Sequence, residues 1–229
     1  MEKYYPILKN CSLFRQIEEV DLGNLLQCLN SQVKSYQAED YLFMAGDEVN
    51  FVGIVLKGII EVLKENLAGN KHIVAFLEPS HMFAEGIVCT AKRISPVTVR
   101  TKEPTEILWI PYERVIKSCG NSCTFHIRLI QNMMMVLGEK NVILNKKLEL
   151  LTLKGMREKI ASYLLNEASE RSSHTFQIML NRTELSDYLN VSRTSMCREL
   201  ARMKEEELLD YYGHSFKILD IKKLAACLE

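Results

Sequence analysis

Ile130, Met134, Leu137, Asn141, Leu144, Leu148 and Leu151 fall at alternating steps of four and three. That is a heptad seam, and it demands one long helix. A second apolar row (Leu129, Met133, Val136, Ile143, Leu150) runs beside the first. Two rows on one helix need two surfaces, so one can face the rest of the chain while the other faces a partner. Asn141 stands at an a-type position, where a single buried Asn costs stability but fixes register and favours a parallel two-stranded pair. The seam therefore predicts a dimerisation helix over residues 124–154, with those seven side chains at a homodimer interface. The alternative is a core helix of a monomer, whose buried face repeats at the same spacing.

Before that helix the hydrophobic period is different. Residues 1 to about 30 carry a helical pattern through Ile17, Val20, Leu22, Leu25, Leu26 and Leu29. From Val33 to Ile110 the chain breaks into short β-branched or aromatic runs: Tyr41–Met44, Gly53–Leu56, Ile59–Leu63, His72–Leu77, Val97–Arg100 and Ile107–Ile110. Turn signals separate them, among them Ala45-Gly46-Asp47-Glu48, Leu67-Ala68-Gly69-Asn70, Glu78-Pro79-Ser80 and Lys102-Glu103-Pro104. Many short strands at regular spacing imply an antiparallel sandwich or roll.

With 229 residues, 47% hydrophobic and 25% charged, the chain has room for two modest domains or one large one. Phe51 to Leu63 is its best apolar stretch, and Lys57 and Glu61 interrupt it, so no membrane span is expected. The first ten residues carry Glu2, Lys3 and Lys9 and lack a signal peptide's apolar region, which leaves a cytoplasmic location by elimination. Seven cysteines (Cys11, Cys28, Cys89, Cys119, Cys123, Cys197 and Cys227) are expected reduced, with Cys119-x3-Cys123 the nearest approach to a redox pair. A formal net charge of zero means that any nucleic-acid surface must be local.

Lys154-Gly155 ends the long helix. Met156 to Ala168 repeats Ile160, Leu164 and Leu165 as another amphipathic helix, and Phe176–Leu180 reads as a strand. The segment from Asn181 to Met203 then reads as a helix-turn-helix. Asn181 caps the first helix with Glu184 as reciprocal partner, and Leu185 and Leu189 face inward. Asn190-Val191 is the turn, Ser192 caps the second helix, and Met196, Leu200 and Met203 form its inner face. The outer face presents Arg193, Thr194, Cys197, Arg198 and Arg202. Ser192 to Lys204 holds four basic residues against one acidic, Glu199, which suits a phosphate-lined major groove. Leu209–Tyr212 and Phe216–Leu219, joined by Gly213-His214-Ser215, form a hairpin wing. The competing reading is a helical hairpin with a solvated basic face.

Taken together, residues from about 30 to 220 resemble the Crp–Fnr family of transcription regulators. The β-region is similar to the cyclic-nucleotide-binding roll in Ala45-Gly46-Asp47, Val55-Leu56-Lys57-Gly58, Ala68-Gly69-Asn70-Lys71 and Phe83-Ala84-Glu85. Ser192 to Arg198 resembles the recognition-helix signature Ser-Arg-Glu-x-x-x-Arg. The resemblance implies an α+β architecture: an antiparallel β-roll (a jelly-roll-like double-stranded β-helix) within 1–123, the dimerisation helix 124–154 and a winged helix-turn-helix in 155–229. It implies a homodimer reading a palindromic operator through Arg182, Ser192, Arg193, Thr194, Ser195, Cys197, Arg198 and Arg202, in partnership with RNA polymerase and under a small-molecule effector. Thr194 replaces the Glu that accepts a hydrogen bond from cytosine in most members, so half-site preference differs.

In cyclic-AMP-binding members a Gly-Glu-Leu turn takes the ribose, an Arg-Ser pair neutralises the phosphate, and helix hydroxyls meet the adenine. Here these become Ala84-Glu85-Gly86, Ser95-Pro96 with Val97 and Thr98 following, and Leu144 and Asn145. The Glu survives and the Arg is missing, with Arg93 two positions out of register. A buried phosphate without its cation is costly, which argues against cyclic AMP and leaves the effector unassigned. Cys11 and Cys28 are too few for a four-thiolate iron–sulfur cluster. His72, His81 and His126 are possible haem ligands, though satisfied or surface histidines are commoner. No metal site or cofactor is expected. A cupin-like metal enzyme would use His81 and Glu85 but lacks the paired His-x-His. A regulatory module that docks another protein has no use for a basic recognition face.

Overall fold

A computed structural model describes residues 1–65, 71–117 and 124–228. The turn 67–70 and the pair Cys119 and Cys123 lie outside the described residues. The chain divides into two compact units, Met1–Lys140 and Asn141–Glu229.

The first unit opens with α1 (Tyr5–Lys9) and α2 (Glu19–Cys28), separated by the 3₁₀ turn Ser12–Phe14. The helical pattern expected over residues 1 to about 30 is realised as several short helical pieces, with Gln16 at φ 61° before α2. Leu22, Leu25, Leu26 and Leu29 hold the inner face as expected, whereas Val20 is 84% exposed, two steps off the stripe. Strands β1 (Gln32–Tyr36), β2 (Tyr41–Phe43), β3 (Phe51–Lys57), β4 (Ile60–Glu65), β5 (Lys71–Leu77) and β6 (Met82–Phe83) follow. Then come α3 (Glu85–Val88), β7 (Thr98–Thr101), β8 (Thr105–Pro111), α4 (Tyr112–Ile116) and α5 (Thr124–Thr152). The strands form two four-stranded antiparallel sheets, β1-β8-β3-β6 and β2-β7-β4-β5.

Sequence explains why these sheets differ. Val52 to Leu56 is an unbroken apolar run buried on both faces, and β8 is buried nearly as deeply. A strand covered on both sides reads as continuous hydrophobe rather than as alternation. The first sheet shares one core with the N-terminal helices and with Leu129, Met133 and Val136 of α5. In the second sheet β7 alternates half-buried with buried, the mark of one solvated face. Gly53 sits opposite both Trp109 and Phe83, and a Cβ there would lie 2.2 Å from Phe83 Cζ. Its missing side chain lets Phe83 pack edge-on to Trp109, with ring centroids 5.4 Å apart.

The second unit contains the last turns of α5, then α6 (Met156–Glu170), β9 (Thr175–Gln177), α7 (Arg182–Leu189), α8 (Arg193–Glu205), β10 (Leu209–Tyr212), β11 (Ser215–Ile218) and α9 (Ile221–Ala226). Its sheet has the order β10-β11-β9. Leu150, Ile160, Leu164, Leu185, Leu189 and the α8 row Met196, Leu200 and Met203 are buried in one core. Two local expectations need correction. Gly155 is not a left-handed helix stop; it is the N-cap of α6 at φ −81°, ψ 141°. The strand expected over Phe176–Leu180 stops at Gln177, and Met179 is exposed.

Gly53→Ala is expected to force Phe83 off its seat and destabilise the first unit by roughly 1–3 kcal/mol. A lower unfolding midpoint by Trp109 emission checks this; an unchanged midpoint contradicts the packing described.

Candidate nucleic-acid interface

The turn between α7 and α8 decides where the recognition helix points, and it is tied at both ends. Asn181 Oδ1 accepts from the backbone N–H of Thr183 and Glu184 at 2.9 and 3.0 Å, and Glu184 Oε2 accepts from the Asn181 N–H at 2.8 Å. This is the capping box read in the sequence. At the other end Asn190 adopts φ 51°, ψ 55°, the left-handed cap that Asn tolerates. Lys147 Nζ donates to the Tyr188 carbonyl and Lys159 Nζ to the Leu189 carbonyl. Two cations thus meet the carbonyl end of α7, where the helix dipole is negative. Ser192 holds the N-cap position of α8 as expected, but its side chain makes no capping hydrogen bond.

Along α8 the charges sort themselves. Arg157 on α6 donates from Nε to Glu199 Oε1 at 2.6 Å, and through both Nη atoms to Glu206 at 2.7 Å each. Glu206, then Glu199, raises the Arg157 pKa above its usual range. The helix's central acid is thereby neutralised from behind. Arg202 reaches Glu199 only at 3.5 Å, and Lys204 pairs with Asp210 at 2.7 Å. Arg193 and Arg198 are exposed and, among the described residues, make no side-chain hydrogen bond or ion pair. Thr194 is exposed beside them. Ser195 is half-buried, and Cys197, expected on the open face, is half-buried against the unit's core.

Arg182, expected among the DNA-contacting residues, is half-buried. Its guanidinium lies 4.8 Å from the Tyr211 ring centre and 4.7 Å from that of Phe216. Nη1 is buried without a partner among the described residues, and burial lowers the group's pKa. The wing's aromatic face therefore fixes this arginine. A groove of about 490 Å³ is lined by Asn181, Arg182, Thr183, Arg193, Gly213 and His214. His214 Nδ1 donates to the Leu180 carbonyl at 3.1 Å, and Gly213 at φ 55° makes the wing turn. Sequence reading missed Lys147, Arg157, Lys159, Thr183 and His214 as site residues. His214, inside a recognised turn, and Thr183, inside the capping box, carried local signals; Lys147, Arg157 and Lys159 act through tertiary contacts.

The residues marked for an effector also have definite places. Ala84 has φ 67° and begins α3. Glu85 is buried, with Oε1 bonded to Lys140 Nζ and Oε2 unpartnered among the described residues. Gly86 and Pro96 are exposed, and Val97 and Thr98 half-buried. Buried Ser95 donates to the Val97 carbonyl at 2.7 Å. Leu144 and Asn145 fall in the second unit, exposed, with Asn145 Nδ2 donating to Asn141 Oδ1 at 2.7 Å. Arg93, the nearby cation, is committed to Asn50 Oδ1 at 2.9 Å, to Glu113 at 3.1 Å and to the Tyr112 ring. Burial pushes the Cys11 thiol up to about 11, which leaves it a poor nucleophile at neutral pH.

A β-roll followed by a winged helix-turn-helix defines a DNA-binding regulator with a sensory-type domain in the same chain. Residues 33–121 match the cyclic nucleotide-binding domain family, and residues 158–227 the Crp-like helix-turn-helix domain family. The chain is 26% identical over 190 residues, 81% of its length and 75% of the relative's, to the transcriptional activator protein FnrA of Stutzerimonas stutzeri. It is 26% identical over 218 residues, 91% and 82% of the two lengths, to the fumarate and nitrate reduction regulatory protein of Vibrio cholerae. In fold it is similar to the crystal structure of the Thermus thermophilus catabolite activator protein, with a TM-score of 0.55 at 20% identity, covering 95% of this chain and 98% of that one. The chain belongs to the Crp–Fnr family of transcription regulators.

Arg198→Ala and Arg193→Ala are expected to differ in kind. Loss of a bidentate guanine contact costs about 1–3 kcal/mol and relaxes preference at one base; loss of a phosphate contact weakens all sequences alike and flattens the salt slope by about one unit. Titration against sequences selected from a random pool separates the two. If both variants bind like the parent, α8 does not read DNA.

Proposed function

We propose that the protein acts in the cytoplasm as a homodimer that reads a near-palindromic operator with two copies of α8 and engages RNA polymerase from it, under control of a small effector held by the first unit. The observation that carries the operator reading is the pair of unpaired, exposed cations, Arg193 and Arg198, at the first turns of a winged recognition helix. Two-fold symmetry of a dimer sets half-sites about 34 Å apart, one helical turn of DNA.

Support for the dimer comes from what α5 leaves uncovered. Met134, Leu144 and Leu148 are 68%, 68% and 61% exposed, with Leu151 and Asn141 exposed on the same seam. Ile130 and Leu137 are half-buried by their own unit. Covering each large exposed side chain is worth about 1.5–3 kcal/mol, and a second copy offers the same stripe. Ile143, grouped by sequence with the inward row, is also exposed and widens this face.

For the effector, among the described residues the cation beside Glu85 is Lys140, already bonded to it, and Arg93 is engaged with Asn50 and Glu113, which leaves no free cation to balance a cyclic phosphate. Cyclic AMP is expected not to bind at micromolar concentration by calorimetry; micromolar binding defeats this part of the reading. Leu144→Lys combined with Leu148→Lys is expected to sediment as a monomer and to lose preference for an inverted repeat while its second unit stays folded. A parent protein that sediments as a concentration-independent monomer at micromolar levels defeats the dimer.

A further inference from the structure

The first unit holds a cavity that the DNA-reading function does not use. It measures about 400 Å³ and lies among β1, β2, β8 and the segment entering β3, away from Glu85. Its size falls within the roughly 300–1,000 Å³ typical of small-molecule sites. Tyr36, Phe43, Phe51 and Trp109 supply an aromatic lining, with Phe51 edge-on to Trp109 at a centroid distance of 6.5 Å. Phe51 is nearly half exposed, so its ring has a face free at the mouth.

The polar groups in the lining are not equivalent. Trp109 Nε1 donates to Tyr36 Oη at 2.9 Å, which leaves the half-buried Tyr36 hydroxyl proton without an acceptor among the described residues. Lys34 lines the cavity as an exposed cation and makes no ion pair or hydrogen bond among the described residues. The cavity's carboxylate is already answered: Glu48 Oε1 accepts from Asn50 Nδ2 at 3.0 Å, and Asn50 Oδ1 accepts from Arg93 Nη1 at 2.9 Å. Among the described residues the unspent donors are the Lys34 ammonium and the Tyr36 hydroxyl over aromatic walls, with the side-chain amides of Asn30 and Gln32 beside them. That set is complementary to a flat ring carrying a negative, hydrogen-bond-accepting group.

We propose that this cavity binds a small planar aromatic carboxylate, its ring against Phe51 and Trp109 and its carboxylate toward Lys34 and Tyr36. The site belongs to the first unit alone and is independent of operator recognition. Trp109 is the chain's single tryptophan, so its emission reports on the cavity directly. Titration of the full-length protein with 4-hydroxybenzoate is expected to give a saturable change with millimolar or tighter affinity. 4-Hydroxybenzyl alcohol, the same ring without the charge, and Lys34→Gln with the carboxylate are each expected to bind about fivefold more weakly, as loss of one exposed charge contact implies. Lys64→Gln, an exposed lysine outside the lining, is expected to bind like the parent. Lys34 is exposed, so an unchanged unfolding midpoint shows that the variant keeps its fold. No saturable change with 4-hydroxybenzoate overturns the proposal, as does equal binding of the alcohol or of choline, or a Lys34→Gln variant that binds like the parent.

Discussion

A helix of 29 residues presents side chains in every direction, and on α5 each direction has its own obligation. With 3.6 residues per turn, a strict seven-residue repeat drifts by about 20° per heptad around a straight helix. Leu129, Met133 and Val136 therefore face the core of the first unit, while Ile143, later in the same apolar row, has rotated out into solvent. Leu150 comes round to serve the second unit's core. Met134, Leu144 and Leu148 of the seam are left over from both duties. Among the described residues Met134, Leu144 and Leu148 remain exposed, and a stripe of that kind is what the proposed homodimer would cover.

The second unit solves a different problem: it must concentrate positive charge on one helix of a chain whose formal net charge is zero. It does so by committing the other charges. Arg157 occupies both Glu199 and Glu206, Asp210 occupies Lys204, and Lys147 and Lys159 sit on the carbonyl end of α7. Lys159 is buried, which is tolerable because it has a carbonyl acceptor. The cations that remain unspent on α8, Arg193 and Arg198, are those nearest the helix N-terminus. Locally paired charge elsewhere is what makes a neutral chain compatible with DNA.

Much of this was legible in the sequence where the physics is local. The capping box at Asn181 and Glu184, the apolar row Met196, Leu200 and Met203, the turn at Gly213 and the unbroken run Val52–Leu56 each declare themselves within a few residues. What was not legible depends on distant partners. Nothing near Arg182 in sequence says that Tyr211 and Phe216 will hold its guanidinium, and nothing near Lys159 says that its ammonium will end up under α7. The helical pattern of the first thirty residues shows in Leu22, Leu25, Leu26 and Leu29, whereas the backbone turn at Gln16 does not, because a positive φ has no signature in a glutamine. Gly155 was assigned to the wrong helix end because glycine is also acceptable at an N-cap.

Glu85 is a buried carboxylate of the first unit held by one lysine. Its carboxylate is buried, and one oxygen lacks a partner even while the other takes Lys140. An unsatisfied buried acceptor costs on the order of 1–3 kcal/mol, more when it is charged, so Glu85 cannot simply release Lys140 into solvent. It needs a replacement donor. Under the proposed function, an effector that supplied one would compete with Lys140. Such a ligand biases α5 by no more than its differential affinity for the states with Lys140 held and Lys140 free.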